Sequence, residues 1–272
     1  MKMQELKQTA KEIRIDIIRM LEKSGSGHPG GSLSCVEIVV ALYFKVMQYD
    51  PKNPKLPSRD RFVLSKGHGV PTVYAVLSKL GYFPREWLWE LRKSGKPLQG
   101  HPYIKIPGIE ASTGSLGQGL SIANGIAMAG KLDKLDYRVY ALLGDGEINE
   151  GQIWEAAMGS AKFKLDNLCV ILDHNGYQID GAITDIKNPL PLADKWKAFG
   201  WEVIELKDGH NFDELLPAFE KAEKIKGKPV MIIAPTKKGK GVSFMEKTPL
   251  KWHGVTPNAE QANQAVEEIE KS

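Results

Sequence analysis

The sequence predicts an α/β protein with a doubly wound, mostly parallel sheet and helices on both faces. Two observations carry that prediction. In the second half of the chain, short apolar runs alternate with stretches of helical length and periodicity. The runs "YRVYALL", "LCVILD" and "PVMIIAP" are almost continuously apolar, as strands covered on both faces must be. No internal repeat, low-complexity segment or linker interrupts the pattern before about residue 236. Residues 1–272 therefore read as one domain, opened by a helix and closed by a tail after about 236.

Each element has a local reason. Leu6, Ile13, Ile17, Met20 and Leu21 recur at helical spacing, so the chain opens with an amphipathic helix that stops at "SGSGHPGGS". Ser34 and Glu37 match a capping box in front of a second helix, "IVVALYFKVM". "RFVL" (61–64) is a short strand running into the glycine turn "SKGHG", and "PTVYAVLSKLGY" is the following helix, with Pro71 in its first turn. Residues 92–119 are mostly irregular, and "GLSIANGIAMAGKL" is a small-residue helix suited to close packing. Then come strand "YRVYALL", helix "GQIWEAAMGSAKF", strand "LCVILDHNG", helix "LPLADKWKAFG", strand "WEVIEL", helix "FDELLPAFEKAEKI" and strand "PVMIIAP". The tail "TPNAEQANQAVEEIEKS" reads as a polar helix started by Thr256-Pro257, and the tryptophans at 87, 89, 154, 196 and 201 read as packing residues.

Composition narrows the function. With 272 residues, 42% hydrophobic and 26% charged, the chain can bury a sizeable core. A net charge of +4 with no basic run interleaved with aromatics argues against nucleic acid. No segment approaches the ~20 apolar residues of a membrane span, and the N-terminus lacks the pattern of a secretory signal. Cys35 and Cys169 sit in apolar segments as reduced core residues, and the expected location is cytoplasmic. The basic loop "PTKKGKG" is either solvated or an anion contact.

The chemistry is concentrated at "LLGDGEINEGQIWEA" (142–156), a glycine turn between a strand and a helix. Such turns usually cradle phosphate, yet this one carries Asp145, with Glu147 and Glu150 behind it. A dinucleotide fingerprint is disfavoured, because Asn149 stands at the third glycine position. A carboxylate beside a diphosphate becomes favourable when a divalent cation lies between them. Mg²⁺ takes one or two protein oxygens and completes its shell with phosphate and water. Asn175 follows the next strand 30 residues on, the separation of a strand–helix–strand crossover, and supplies a second oxygen.

G-D-G followed at this separation by Asn resembles the thiamine diphosphate motif, and its surroundings look like transketolase. "SGHPGGSLS", "LSKGHG", "GHPYIKIPGIEASTGSLGQGLSIANGIAMA", "GDGEINEGQIWEAAM", "DHNGYQIDG" and "GKGVSFMEKTPLKWHGVTP" resemble that family's segments in the family's order, over residues 24 to 257. The resemblance implies the diphosphate-binding domain of the thiamine diphosphate fold. It implies a metal (Mg²⁺, or Ca²⁺ or Mn²⁺) on Asp145, Asn175 and the main-chain carbonyl of Tyr177. It places Gly146 and Asn175 against the diphosphate, Gly114, Ser115 and Leu116 along the cofactor, and Ile179 near the thiazolium ring. His68 and His253 would contact the diphosphate, while His28, His101 and His253 would face the substrate, where an imidazole can hydrogen-bond or shuttle protons. Glu150 would join an acidic link between active sites, or stabilise its helix through the macrodipole. His174 is as open to a structural as to a functional role, His210 reads as a turn or cap residue, and Glu147 as a helix-start charge.

Single-chain transketolases carry two further domains, including the one that binds the aminopyrimidine. The resemblance therefore implies the N-terminal subunit of a split transketolase, paired as α2β2 with a C-terminal subunit bearing the pyrimidine-binding and third domains. The assembly would move a two-carbon ketol unit from a ketose phosphate such as xylulose 5-phosphate to an aldose phosphate. Three alternatives stand: a related synthase or a transketolase for an unusual sugar, the α subunit of a 2-oxoacid dehydrogenase, and a non-catalytic subunit on the same scaffold. The second should lack the "SGHPGG" and "GHP" histidine turns.

Overall fold

The computed structural model describes residues 1–179 and 181–272; residue 180, in the "DHNGYQIDG" segment, lies outside the described residues. Strands β1 (Arg61–Leu64), β2 (Val139–Gly144) and β3 (Leu168–His174) are followed by two-residue strands β4 (Tyr177–Gln178) and β5 (Gly181–Ala182), then by β6 (Glu202–Glu205) and β7 (Val230–Pro235). β1, β2, β3, β7 and β6 lie in that order in one sheet, and every pairing in it is parallel; β4 and β5 form a small antiparallel ladder.

Alternation along each strand divides the core. Phe62, Leu64, Tyr140, Leu142, Cys169, Ile171, Val230 and Ile232 face one layer, which includes α1 (Met3–Ser24), α3 (Val36–Ala41), α4 (Val70–Lys79), α9 (Phe212–Lys224) and α11 (Ala259–Lys271). Val63, Val139, Ala141, Leu143, Leu168, Val170, Leu172 and Met231 face the other, with α5 (Gln118–Leu132), α6 (Gly151–Lys162) and α8 (Leu192–Ala198). This is the doubly wound architecture the continuous apolar runs predict. Trp196 and Trp201 pack in the second layer, and both free cysteines are buried, Cys35 and Cys169 with their thiols pushed up to about 11 and about 12 by burial. Among the described residues no helix is long and apolar enough to cross a membrane.

Four local expectations are corrected. "HPGGS" is not merely a break: α2 (Pro29–Leu33) forms there, with Pro29 at its first turn and His28 at its N-cap. The Ser34–Glu37 capping box is not made, because long-range partners claim both side chains. Ser34 Oγ donates to Asp173 Oδ2 (2.6 Å), and Glu37 pairs with Arg14. After Ala41 that helix widens into a π-turn over Leu42–Val46. The tail helix starts at Ala259, not at Thr256-Pro257. Asn258 caps it, accepting from Gln261 N, and Ala262, Ala265 and Ile269 are buried as it packs on α1. The remaining short helices are α7 (Ile183–Lys187) and α10 (Ser243–Lys247).

His210 is likewise more than a turn residue. Lys237 N donates to its Nε2 (2.9 Å), which leaves the proton on Nδ1 to donate to Glu37 Oε2 (2.8 Å). Burial alone would raise Glu37, but Arg14 and His210 hold it at about 2, below the usual 4.5. A carboxyl depressed in the fold contributes stability fully above its unfolded pKa and loses it as pH falls through the folded one. Acid unfolding is therefore expected to cost roughly 3 kcal/mol through this group between about pH 4.5 and 2. In Glu37→Gln that part of the slope disappears, which urea titrations at stepped pH would read.

Candidate functional site

Parallel strands converge their carboxyl ends on one edge, and in an open α/β sheet ligands bind there. Here β1 delivers Ser65, Lys66 and His68, β2 delivers Asp145 and Gly146, β3 delivers Asp173 and Asn175, and β7 delivers Thr236 and Lys238. A cleft of about 580 Å³ opens at that edge. Of the residues singled out from sequence, His28, His68, His101, His253, Gly114, Leu116, Asp145, Gly146, Glu150, Asn175, Tyr177 and Ile179 all line it. Ser115 is exposed between Gly114 and Leu116 and is not part of the wall. His174 sits 3.4 Å from Asp145 through Nδ1, behind the wall rather than in it.

The histidines gather from four segments distant in sequence. His28 lies 5.3 Å from His68, 5.4 Å from His253 and 6.3 Å from His101, between ring centroids, and His68 lies 5.5 Å from His253. Burial, then the Arg92 charge, lowers His28 to about 4; burial, then Lys238, lowers His253 to about 4. His68 is held well below its ordinary value by burial and Lys66, and His101 is lowered by burial and Arg92. A neutral imidazole can accept a hydrogen bond at one nitrogen and donate one from the other, so each ring can both donate to an oxygen and accept from a hydroxyl. In the ligand-free chain, His28 and His253 are expected to stay neutral from pH 8 down to about 5 and to titrate near 4. Their imidazole NMR signals would report this; midpoints near 6.5 would contradict it.

Asp145 is 1% exposed. Its Oδ1 accepts from Gly146 N (3.0 Å) and its Oδ2 from Gly176 N (2.5 Å), so the turns after β2 and β3 are tied together through it. No lysine or arginine pairs with it among the described residues. Asn175 Oδ1 accepts from Tyr177 N (3.2 Å), which orders the short turn that brings Asn175 and Tyr177 to the cleft wall. No three His, Cys, Asp or Glu side chains among the described residues gather to hold an ion by themselves. A carboxylate, an amide oxygen and a carbonyl are hard donors, and these three could hold Mg²⁺, Ca²⁺ or Mn²⁺ if ligand oxygens and water completed the shell. Gly146 packs against β4: a Cβ there would sit 2.8 Å from Gln178 Cβ, so the turn after β2 needs a glycine to approach it. The residues fit a metal–diphosphate group.

Sequence reasoning missed three cleft residues. Lys66 is 1% exposed and donates to Asp173, whose other partners are Ser34 and Thr236, and to Gly31 O (2.8 Å). Burial would depress its ammonium, but Asp173 reverses the sign and holds it above the usual lysine range. Lys238, from the basic loop whose sequence allows either solvation or anion contact, is 4% exposed, lines the cleft and donates to His253 Nδ1 (3.0 Å). Burial, then Lys66, lowers it to about 8. Their position just past strand ends was the available signal; their burial was not legible.

Glu147 is the third. It does open a short 3-10 turn, Glu147–Asn149, as a helix-start charge would, but it is 1% exposed and has a bracing role the sequence did not show. Its Oε1 accepts from Ser65 Oγ (2.5 Å) and Gly117 N (3.0 Å), and its Oε2 from Gly144 N (3.1 Å). One carboxylate thus braces the ends of β1 and β2 and the turn holding Gly114 and Leu116. Burial pushes its pKa up, and these donors pull against that rise. Glu150 is exposed at the N-cap of α6, a position compatible with either of its expected roles. Ile179 and Ile186 are 61% and 46% exposed at the cleft mouth, apolar surface a bound group could cover.

Known proteins resemble this chain over nearly its whole length. The family described as "Transketolase, thiamine diphosphate binding domain" matches residues 5–269. One subunit of the apulose-4-phosphate transketolase of Phocaeicola vulgatus is 44% identical over 269 residues, covering 99% of this chain and 95% of that one. The 6-deoxy-6-sulfo-D-fructose transketolase subunit SqwG of a Clostridium species is 49% identical over 269 residues, covering 98% and 97%. The crystal structure of Campylobacter jejuni transketolase superposes with a TM-score of 0.93 at 34% identity, over 99% of this chain but 43% of that one. Human transketolase is 44% identical over 271 residues, with 42% of its length covered, so this chain spans about two fifths of such proteins. The chain belongs to the transketolase family and carries its thiamine diphosphate binding domain.

Proposed function

We propose that this chain is the diphosphate-binding subunit of a split transketolase, moving a two-carbon ketol unit from a ketose phosphate to an aldose phosphate. The observation that carries this reading is the meeting of four near-neutral histidines with Asp145 and Asn175 in one cleft at the carboxyl edge of the sheet. Thiamine diphosphate, when bound, supplies the carbanion chemistry that breaks and remakes the carbon–carbon bond. The chain's own residues bind and orient. Asp145, Asn175 and the Tyr177 carbonyl would hold a divalent metal, and Gly146 would admit the diphosphate against the backbone. His68 and His253 would donate to diphosphate oxygens, with Lys238 adding positive charge. Gly114, Ser115 and Leu116 would lie along the cofactor, and Ile179 would cover the thiazolium ring. His28, His101 and His253 would hydrogen-bond the sugar and pass protons at its reacting oxygens. Glu150 would reach across a subunit interface.

Relatives matching over nearly their whole length are named as subunits, which supports a partner subunit here too; an α2β2 assembly with a C-terminal subunit is the arrangement proposed. They are also named for apulose-4-phosphate and 6-deoxy-6-sulfo-D-fructose rather than a common pentose phosphate, and this supports a second reading in which the donor is an unusual sugar. The test is an assay of the purified chain, with and without its C-terminal partner, across xylulose 5-phosphate and a panel of other ketoses. No turnover is expected from the chain alone and ketol transfer from the pair. Full activity from the chain alone would count against the split assembly.

A further inference from the structure

The loop after β7, residues 236–241, brings Lys238 to the main cleft, and it is held from behind by Arg14, Glu37 and His210, none of which lines that cleft. Glu37 of α3 stands at the centre. It is 6% exposed and accepts from Nη1 and Nη2 of Arg14 on α1 (2.6 and 2.7 Å) and from His210 Nδ1, just before α9 (2.8 Å). Each partner also grips one end of the loop. Arg14 Nε donates to Lys240 O (3.1 Å), and His210 Nε2 accepts from Lys237 N (2.9 Å). Between the two grips Lys240 N closes a turn on Lys237 O (3.2 Å), and Gly239 N donates to Gly30 O (3.0 Å). Gly241, at φ 90°, lets the chain pass Arg14, whose Cδ would lie 3.1 Å from a Cβ there. With its backbone fixed at both ends, the turn aims Lys238. The lysine stem crosses Gly30, where a Cβ would sit 2.9 Å from Lys238 Cγ, and its ammonium reaches His253 Nδ1 (3.0 Å). A lysine on a free loop loses backbone and rotamer entropy each time it binds an anion; a clamp built into the fold removes most of that cost beforehand.

We propose that Glu37, acting through Arg14 and His210, is a positioning residue that fixes the Lys238 ammonium in the cleft from outside it. The inference rests on the reading of Lys238 as positive charge beside the diphosphate, so its test has one arm that needs no cofactor. In that arm NMR follows the titration of the Lys238 ammonium in the full chain, its signal identified by its loss in Lys238→Met. Two replacements of His210 separate the clamp from plain stability. His210→Gln puts an amide oxygen where Nε2 accepts from Lys237 N, whereas His210→Asn keeps only a donor where Nδ1 meets Glu37. Arg14→Lys keeps a cation on Glu37 but drops the bond to Lys240 O. Lys238, lowered to about 8 by burial and then Lys66, is expected to stay there in His210→Gln and to rise toward the ordinary lysine range in His210→Asn and Arg14→Lys. A Lys238 that titrates near 8 in both of the latter would overturn the proposal, whatever their melting temperatures. In the second arm calorimetry measures thiamine diphosphate binding, with Mg²⁺, to the assembled enzyme. His210→Asn is expected to weaken binding by about tenfold, and to add nothing once Lys238 is Met. Equal losses with and without Lys238 would show that His210 acts on the fold alone and would overturn the clamp. If Lys238→Met leaves binding unchanged while His210→Asn still releases Lys238 in the first arm, the clamp stands and the diphosphate reading of Lys238 falls.

Discussion

Asp145→Ala is expected to abolish metal-dependent thiamine diphosphate binding by the assembled enzyme, weakening it at least about a hundredfold, since even outer partners of metal ligands carry ten- to hundredfold effects. Two features of the site make this the largest loss. Asp145 is the only carboxylate in the donor set proposed for it with Asn175 and Tyr177, all three of which line the cleft, so its removal would delete that set's formal charge. It also ties Gly146 N and Gly176 N, which fixes the two turns that must face the metal from adjacent strands. Calorimetry with and without Mg²⁺ would read the binding, and thermal unfolding of the same variant would separate lost coordination from a loosened fold. Unimpaired, Mg²⁺-dependent binding by the variant would contradict the metal role.

Glu147→Ala should be nearly as damaging, by another route. Ser65 Oγ, Gly117 N and Gly144 N would lose their shared acceptor inside the protein, and each unsatisfied group costs about 1–3 kcal/mol. A total destabilisation of about 3 kcal/mol or more is expected in urea unfolding. Glu147→Gln keeps the volume but turns an amide donor toward groups that are themselves donors, so it should recover only part of the loss. Because the brace reaches the Gly114–Leu116 turn, cofactor affinity should fall in both variants. A Gln variant with unchanged stability and affinity would show that the brace is not needed.

The contrast between Asp145 and Glu147 explains what sequence alone could show. Asp145 and Asn175 were legible because strand, turn and crossover length fix their relation through local rules: parallel neighbours joined by one helix bring their ends together. The continuous apolar runs likewise fixed a parallel sheet covered on both faces. Glu147, Lys66, Lys238 and His210 carry ordinary polar identities in glycine-rich turns. Their burial comes from segments far along the chain, as when Glu147 meets Ser65 across 82 residues or His210 meets Glu37 across 173. The same competition undid the Ser34–Glu37 cap, whose side chains found stronger partners in Asp173 and Arg14 than in their own helix. The helix at Pro29–Leu33 was hidden because its two glycines disfavour helix in isolation, while every one of its residues is buried in the fold.

Anomalous diffraction from crystals of the assembled enzyme, grown with thiamine diphosphate and Mn²⁺, tests the metal bridge most directly. One manganese peak is expected in the main cleft, ligated by the Asp145 carboxylate, the Asn175 amide oxygen, the Tyr177 carbonyl and diphosphate oxygens. Diphosphate bound with no manganese beside Asp145, or a manganese ion held elsewhere, would contradict it.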